Sequence, residues 1–186
     1  VFLATQGDIR AVMRDLLLSP EFRASADNKL KRPNEYVAGI VRVLGARLGN
    51  QFYRVVTEQL TELNHVPFNW PAPNGYPDVQ GYWTNTSSVL TRWNFAFEVI
   101  EGRLGGAVQV DVNSLLPASA TTPVAIVDAL AQRLLHRPLA DHDRDTLLGI
   151  AAAGAPIDRP LRMSARLARI RDVAGLMLAS PYFQYR

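Results

Sequence analysis

The stretch that decides the fold runs from residue 34 to residue 49 and reads NEYVAGIVRVLGARLG. Tyr36, Val37, Ile40, Val41, Val43, Leu44 and Leu48 place apolar side chains on nearly every face of a 3.6-residue spiral, whereas a half-buried strand would alternate. Pro33, just before it, suits the first turn of a helix, because its fixed φ is already helical and its missing N–H would have no partner there. A helix that is apolar all round belongs at the centre of a helical protein. Arg42, halfway along, is then expected to need a carboxylate or carbonyl partner, since an unpaired buried charge is costly.

The flanking text is helical in both directions. Thr5, three residues before Asp8, reads as an N-cap, and Ile9, Val12, Met13, Leu16 and Leu17 follow at helical spacing. Ser19 and Pro20 end that helix and open a short turn carrying Phe22. The same phrase, LLLSPEF at 16–22, returns as MLASPYF at 177–183. With no second matched segment between the copies, it reads as a recurrent way of ending a helix rather than a duplicated unit. Residues 50–64 carry a one-sided apolar stripe. Residues 85–102, NTSSVLTRWNFAFEVIEG, form a helix capped among Asn85 to Ser88, with Val89, Leu90, Trp93, Phe97 and Ile100 inward and Gly102 closing it.

Beyond it, Thr122 and Pro123 open one helix and Asp141 caps another that stops at Gly154 and Pro156. The last helix, about 160–179, turns Leu167, Ile170, Ala174, Met177 and Leu178 inward and Arg162, Arg166 and Arg169 outward. Val108, Val110 and Val112 alternate, which allows one short strand with no visible partner. The expected class is all-α: about seven helices in one irregular bundle, a single helical domain over residues 1–186.

Composition narrows the function classes. Hydrophobic residues make up 48% and charged residues 20%, so the chain is globular rather than disordered. Twenty Lys and Arg against seventeen Asp and Glu leave a net charge of +3, too small an excess to imply nucleic acid. The Arg159, Arg162, Arg166, Arg169 and Arg171 stripe lacks interleaved aromatics and reads as a solvated helix face. There is no cysteine, and His65, His136 and His142 lack metal-ligand spacing, so no metal, cofactor or thiolate chemistry is expected. No apolar run is long enough for a membrane span.

One segment breaks every period. Residues 65–85, HVPFNWPAPNGYPDVQGYWTN, form a long loop too aromatic to be left in water, hence ordered. Trp70, Tyr76 and Trp83 offer flat faces, and Asn74 and Asp78 offer hydrogen-bonding groups beside them. The competing reading makes the rings a plug between helices, Asn74-Gly75 a tight turn and Asp78 a backbone cap. His65, just past a helix end, reads as a partner of that helix's last carbonyls. Arg32, Arg42 and Arg92 have apolar or crowded surroundings, and at least one of them is expected to pair with Glu35 or Glu98. The candidate binding residues are therefore Trp70, Asn74, Tyr76, Asp78, Trp83 and Arg92, with no catalytic residue assigned.

Three stretches, KLKRPNEYVAGIVRVLGA, PFNWPAPNGYPDVQGYWTNTSSVLTRWNFA and LMLASPYFQYR, make the chain resemble the C-terminal part of a bacterial family known as domain of unknown function 1800. The resemblance implies an exported location and a longer product, of which this would be the C-terminal portion. It also implies genomic association with proteins related to phosphatases and sulfatases. The absence of an initiator Met before Val1 fits that expectation of a longer product. The functional expectation is a non-catalytic binding or assembly module using the 65–85 loop, its partner being the N-terminal half, another subunit, a phosphatase- or sulfatase-like protein, or an extracellular polymer. One alternative is a polymer-degrading hydrolase or lyase with Asp78 and a helix carboxylate as acid and base. The other is a structural subunit of a larger assembly.

Overall fold

The computed structural model describes residues 1–186 and is built almost entirely of helices. In chain order these are α1 (Ile9–Leu18), α2 (Pro20–Ala24), α3 (Pro33–Val43), α4 (Phe52–Glu62), α5 (Gln80–Trp83), α6 (Thr86–Glu101), α7 (Pro123–Leu130), α8 (Asp141–Ala152), α9 (Met163–Ala179) and α10 (Pro181–Gln184). Seven of them have eight residues or more, which matches the all-α expectation. A 3-10 turn covers Val112–Leu115, and a wide π-type turn over Ala131–Leu135 extends α7. No helix is long and apolar enough to cross a membrane.

The caps follow the local chemistry. Asn85 Oδ1 accepts from Ser88 N at 2.8 Å while Ser88 Oγ accepts from Asn85 N at 3.0 Å, a reciprocal pair that starts α6. Gly102 ends α6 at φ +73°, the left-handed conformation that glycine adopts without strain. Thr122 Oγ1 accepts from Ala125 N. At the first helix the cap is Asp8, whose carboxylate accepts from Ala11 N at 3.1 Å, and not Thr5.

The central helix is α9 rather than the stretch at 34–49. It packs against α6, α7, α8 and α10 and buries Ile170, Val173, Ala174, Met177 and Leu178. Where it meets α6 the fit is close: a Cβ at Gly175 would lie 2.5 Å from Phe97 Cε1. Arg166 is buried too, against expectation, with Nε donating to Ala120 O at 2.8 Å and Nη2 to Pro117 O at 3.2 Å. The guanidinium ties down the turn ahead of α7, which is why a cation is tolerated on an inward face.

The opening stretch divides. α3 keeps Tyr36, Val37, Ile40 and Val41 in the core but exposes Ala38 and Arg42, so Arg42 needs no buried partner. The helix stops at Leu44, and Gly45 turns the chain at φ +60°. Arg47–Leu48 then become strand β1, paired antiparallel with β2, Val108–Gln109. The alternating valines thus find their partner in what reads as the end of a helix. Gly49 is held in backbone contact with Gly106, a space that a side chain would fill.

The phase of α6 is also shifted by one residue. Arg92, Phe95, Ala96, Val99 and Ile100 face inward, whereas Leu90 and Trp93 are exposed. The two SP-F helix ends share one geometry: Ser19 Oγ donates to Leu16 O, Ser180 Oγ donates to Met177 O, and both serines are extended. Their phenylalanines differ. Phe183 is 4% exposed and meets Tyr36 edge-on at 5.9 Å, while Phe22 is 48% exposed.

Candidate functional site

The rings of the 65–85 loop pack on one another. His65, Trp70, Tyr76, Tyr82 and Trp83 form a chain of edge-on and tilted contacts with ring centroids 4.6 to 5.9 Å apart, the spacing that aromatic pairs prefer. Trp83 lies at the bottom, 3% exposed, with Nε1 donating to Pro77 O at 3.0 Å. Tyr76 donates to Val66 O at 2.8 Å, and Trp70 Nε1 donates to Asn74 Oδ1 at 3.2 Å. Gly75 makes the turn beside Asn74 at φ +69°. Three polar tips are therefore spent inside the loop, and none of the five best-defined clefts on the surface includes a residue of it. Phe68, by contrast, is fully exposed.

His65 is held by a helix other than its own. Its Nδ1 accepts from Asn34 N, an unpaired donor in the first turn of α3, at 3.2 Å. Its side chain therefore caps the start of α3, while its backbone N–H donates to Leu60 O at 2.8 Å and closes α4. Burial and the nearby Arg32 charge push the imidazole below its usual pKa, which fits a neutral ring accepting that hydrogen bond.

Asp78 is a clasp. Its Oδ2 lies 2.8 Å from Lys29 Nζ and its Oδ1 lies 2.9 Å from Arg32 Nη2, joining the loop to the segment before α3. The hydrogen bonds from Lys29 and Arg32 hold its carboxyl below the usual aspartate range. A general acid requires the opposite shift. Both of its oxygens are thus taken by cations, and Glu101, at the end of α6, pairs with Arg103.

Arg92 and Tyr36 together join the three motif stretches. Arg92 is 1% exposed, with Nη2 donating to Lys31 O at 2.9 Å and its guanidinium 5.1 Å from the Tyr36 ring. Nε and Nη1 have no partner, and burial pulls its pKa down. No carboxylate meets it: Glu35 instead accepts from Arg32 N at 2.9 Å and pairs with Arg186 at 2.8 Å. The expected buried pair of Arg32, Arg42 or Arg92 with Glu35 or Glu98 does not form: Arg32 pairs with Asp78, Arg42 is exposed, and carbonyl and π contacts stand in for the carboxylate at Arg92. Tyr36 completes the hub, its hydroxyl 2.9 Å from Arg92 O and 3.1 Å from Leu178 O. Burial raises its pKa far above that of a free tyrosine.

Lys31, just before α3, is half-buried. Its Nζ donates to Phe183 O at 2.5 Å and sits 3.9 Å above the Phe183 ring. The backbone beside it pairs with the end of the chain: Lys31 N donates to Gln184 O, Lys29 N to Arg186 O, and Arg186 N to Lys29 O. Gln80 Nε2 donates to Tyr185 OH at 2.8 Å, closing the circle back to the loop. The stretches KLKRPNE, GYPD through RWNFA, and SPYFQYR thus converge, although the bonded groups lie 46 residues or more apart in the chain.

The family model described as Protein of unknown function (DUF1800) matches residues 1–185. The chain belongs to the DUF1800 family. No curated protein and no solved structure matches it, so the DUF1800 assignment carries a family and no activity. Of the six candidate residues in this DUF1800 chain, the structure brings Trp70, Asn74, Tyr76 and Trp83 together as loop filling. Asp78 and Arg92 belong to the hub. Lys31, Tyr36 and Phe183 were missed as members of it; the signal available was the density of cations immediately before Pro33.

Proposed function

We propose that the protein is a non-catalytic assembly module whose docking surface is the α1–α2 hairpin. The observation that supports this is the unequal fate of the two SP-F helix ends. In the copy at 177–183 the apolar side chains reach the core, whereas α1 and α2 contain no buried residue at all. Ile9, Met13, Leu16 and Leu17 present one stripe, with Phe2, Leu3 and Phe22 also exposed. A contiguous apolar face of that kind marks a protein interaction site. It suits a helical partner surface, either another part of the same gene product or a separate subunit, better than a polymer, because it offers no converging polar groups.

The 65–85 loop, read from sequence as the binding element, supplies instead the packed edge that holds α3, α6 and the C-terminal segment in register. The exported location implied by the family resemblance belongs to the same reading, and fractionation of source cells tests it. The deciding experiment is amide hydrogen exchange over residues 9–18, comparing the isolated chain with the product as its source cell makes it. Strong protection only in the native product is expected. Equal and rapid exchange in both would refute the docking surface. Leu16→Asp should leave the unfolding midpoint of the isolated chain unchanged, since the side chain is unburied.

A further inference from the structure

A second surface, unrelated to α1, is a groove of about 790 Å³ between α3 and the C-terminal residues 182–186, closed at one end by residues 134–137. Its volume falls within the range of small-ligand sites. Gly39, Val43 and Leu135 supply apolar wall, and the charged groups converge from four separate parts of the chain. Four cationic side chains line it, Lys31, Arg42, Arg137 and Arg186, against two carboxylates, Asp27 and Glu35. Asp27 is committed to Arg137 and Glu35 to Arg186. That leaves Lys31, whose Nζ rests on Phe183 O and the Phe183 ring, and Arg42 with no carboxylate, a surplus of two positive charges among the side chains.

We propose that this groove binds a small dianion, a phosphate or dicarboxylate group, with Lys31 and Arg42 as its charge partners.

Two further observations favour such an occupant. The Lys31 ammonium is disfavoured by its burial and then by the Arg186 and Arg137 charges beside it, a crowding that an anion would relieve. Arg137, whose Nη2 donates to Tyr182 O at 2.6 Å, keeps a buried Nε with no partner. Charge-assisted contacts to an oxyanion are the strong kind, and guanidinium groups match oxyanion geometry. Two cations without a carboxylate, lining the same groove, favour a doubly charged ligand over a monovalent one.

Calorimetric titration of the purified chain with inorganic phosphate, and separately with succinate, tests this at constant ionic strength, with acetate as the monovalent control. One saturable site for a dianion is expected. Lys31→Gln should weaken it by about tenfold and Arg42→Gln by about threefold. Binding of phosphate alone or of succinate alone identifies the anion, and binding of both supports recognition by charge. Because Lys31 also holds the C-terminal segment, the exposed Arg42 is decisive on its own. No saturable heat with either dianion, acetate binding as tightly, or unchanged affinity in Arg42→Gln would each overturn the proposal.

Discussion

Replacing Trp83 by alanine separates a structural loop from a binding loop more sharply than any other change. The indole is 3% exposed, touches His65, Tyr76 and Tyr82, and donates to Pro77 O. A tryptophan buries roughly 150–250 Å², which at about 25 cal/mol per Å² amounts to ~4–6 kcal/mol. Partial collapse of the site brings the expected loss to about 3–5 kcal/mol. For a chain of this length that corresponds to a fall in Tm of roughly 10 °C. Trp70, half-buried at the rim of the same cluster, should cost about 1–2 kcal/mol, and Phe68→Ala, at a fully exposed ring, less than about 0.5 kcal/mol. The assay is urea unfolding followed by far-ultraviolet circular dichroism, because removing a tryptophan alters the fluorescence baseline. A Trp83→Ala protein within about 1 kcal/mol of the parent would refute the reasoning and return the loop to the list of binding surfaces.

Arg92→Met should be neutral or stabilising by about 1 kcal/mol, since it removes a desolvated, carboxylate-free cation and loses one hydrogen bond; equilibrium unfolding would expose the error if the loss exceeds about 2 kcal/mol. Asp78→Asn should lower Tm at neutral pH. Because the folded carboxyl is depressed, its contribution is present above the unfolded pKa of about 4 and fades as pH falls through the lower folded value. The gap in Tm between parent and variant should therefore begin to narrow at about pH 4 and close once pH is below the depressed folded value, and a gap that does not narrow on acidification would contradict the clasp. Gly175→Ala should destabilise by about 1–3 kcal/mol despite alanine's better helix propensity, through overlap with Phe97. Phe97→Leu in the same chain should restore part of the loss, and an unaffected single variant would show that the α6–α9 contact is loose.

The helices were legible because their apolar spacing and caps are local facts. Asn85, Thr122, Pro33 and Gly102 act within one turn of themselves, and each sits where its chemistry predicts. What was not legible depends on partners far along the chain. In α6, hydropathy favours Trp93 over Arg92 for the inner face; the choice is reversed by Lys31 O and the Tyr36 ring, 61 and 56 residues away. The tail of the 34–49 stretch has helical spacing, but Gly45 and the approach of Gly106 to Gly49 turn it into a strand. For the candidate site, the sequence identified the aromatic loop as ordered but could not show that its polar tips are turned inward. Nor could it show that the basic run at 29–32 is neutralised from one side by Asp78 and faced on the other by the chain end.

The pairing of residues 29–31 with residues 184–186 has a consequence for biosynthesis. A ribosome releases the basic segment well before its backbone partner, so α3 can form while its N-terminal flank waits for more than 150 residues of further synthesis. During that interval Lys31 lacks Phe183, the groove has only one wall, and the Tyr36 ring is uncovered on the side that Phe183 later packs against. Long-range closure of this kind slows the final folding step. A stalled or prematurely ended chain would consequently carry an unlatched edge, open to chaperones and proteases, even where every helix up to α9 had already formed.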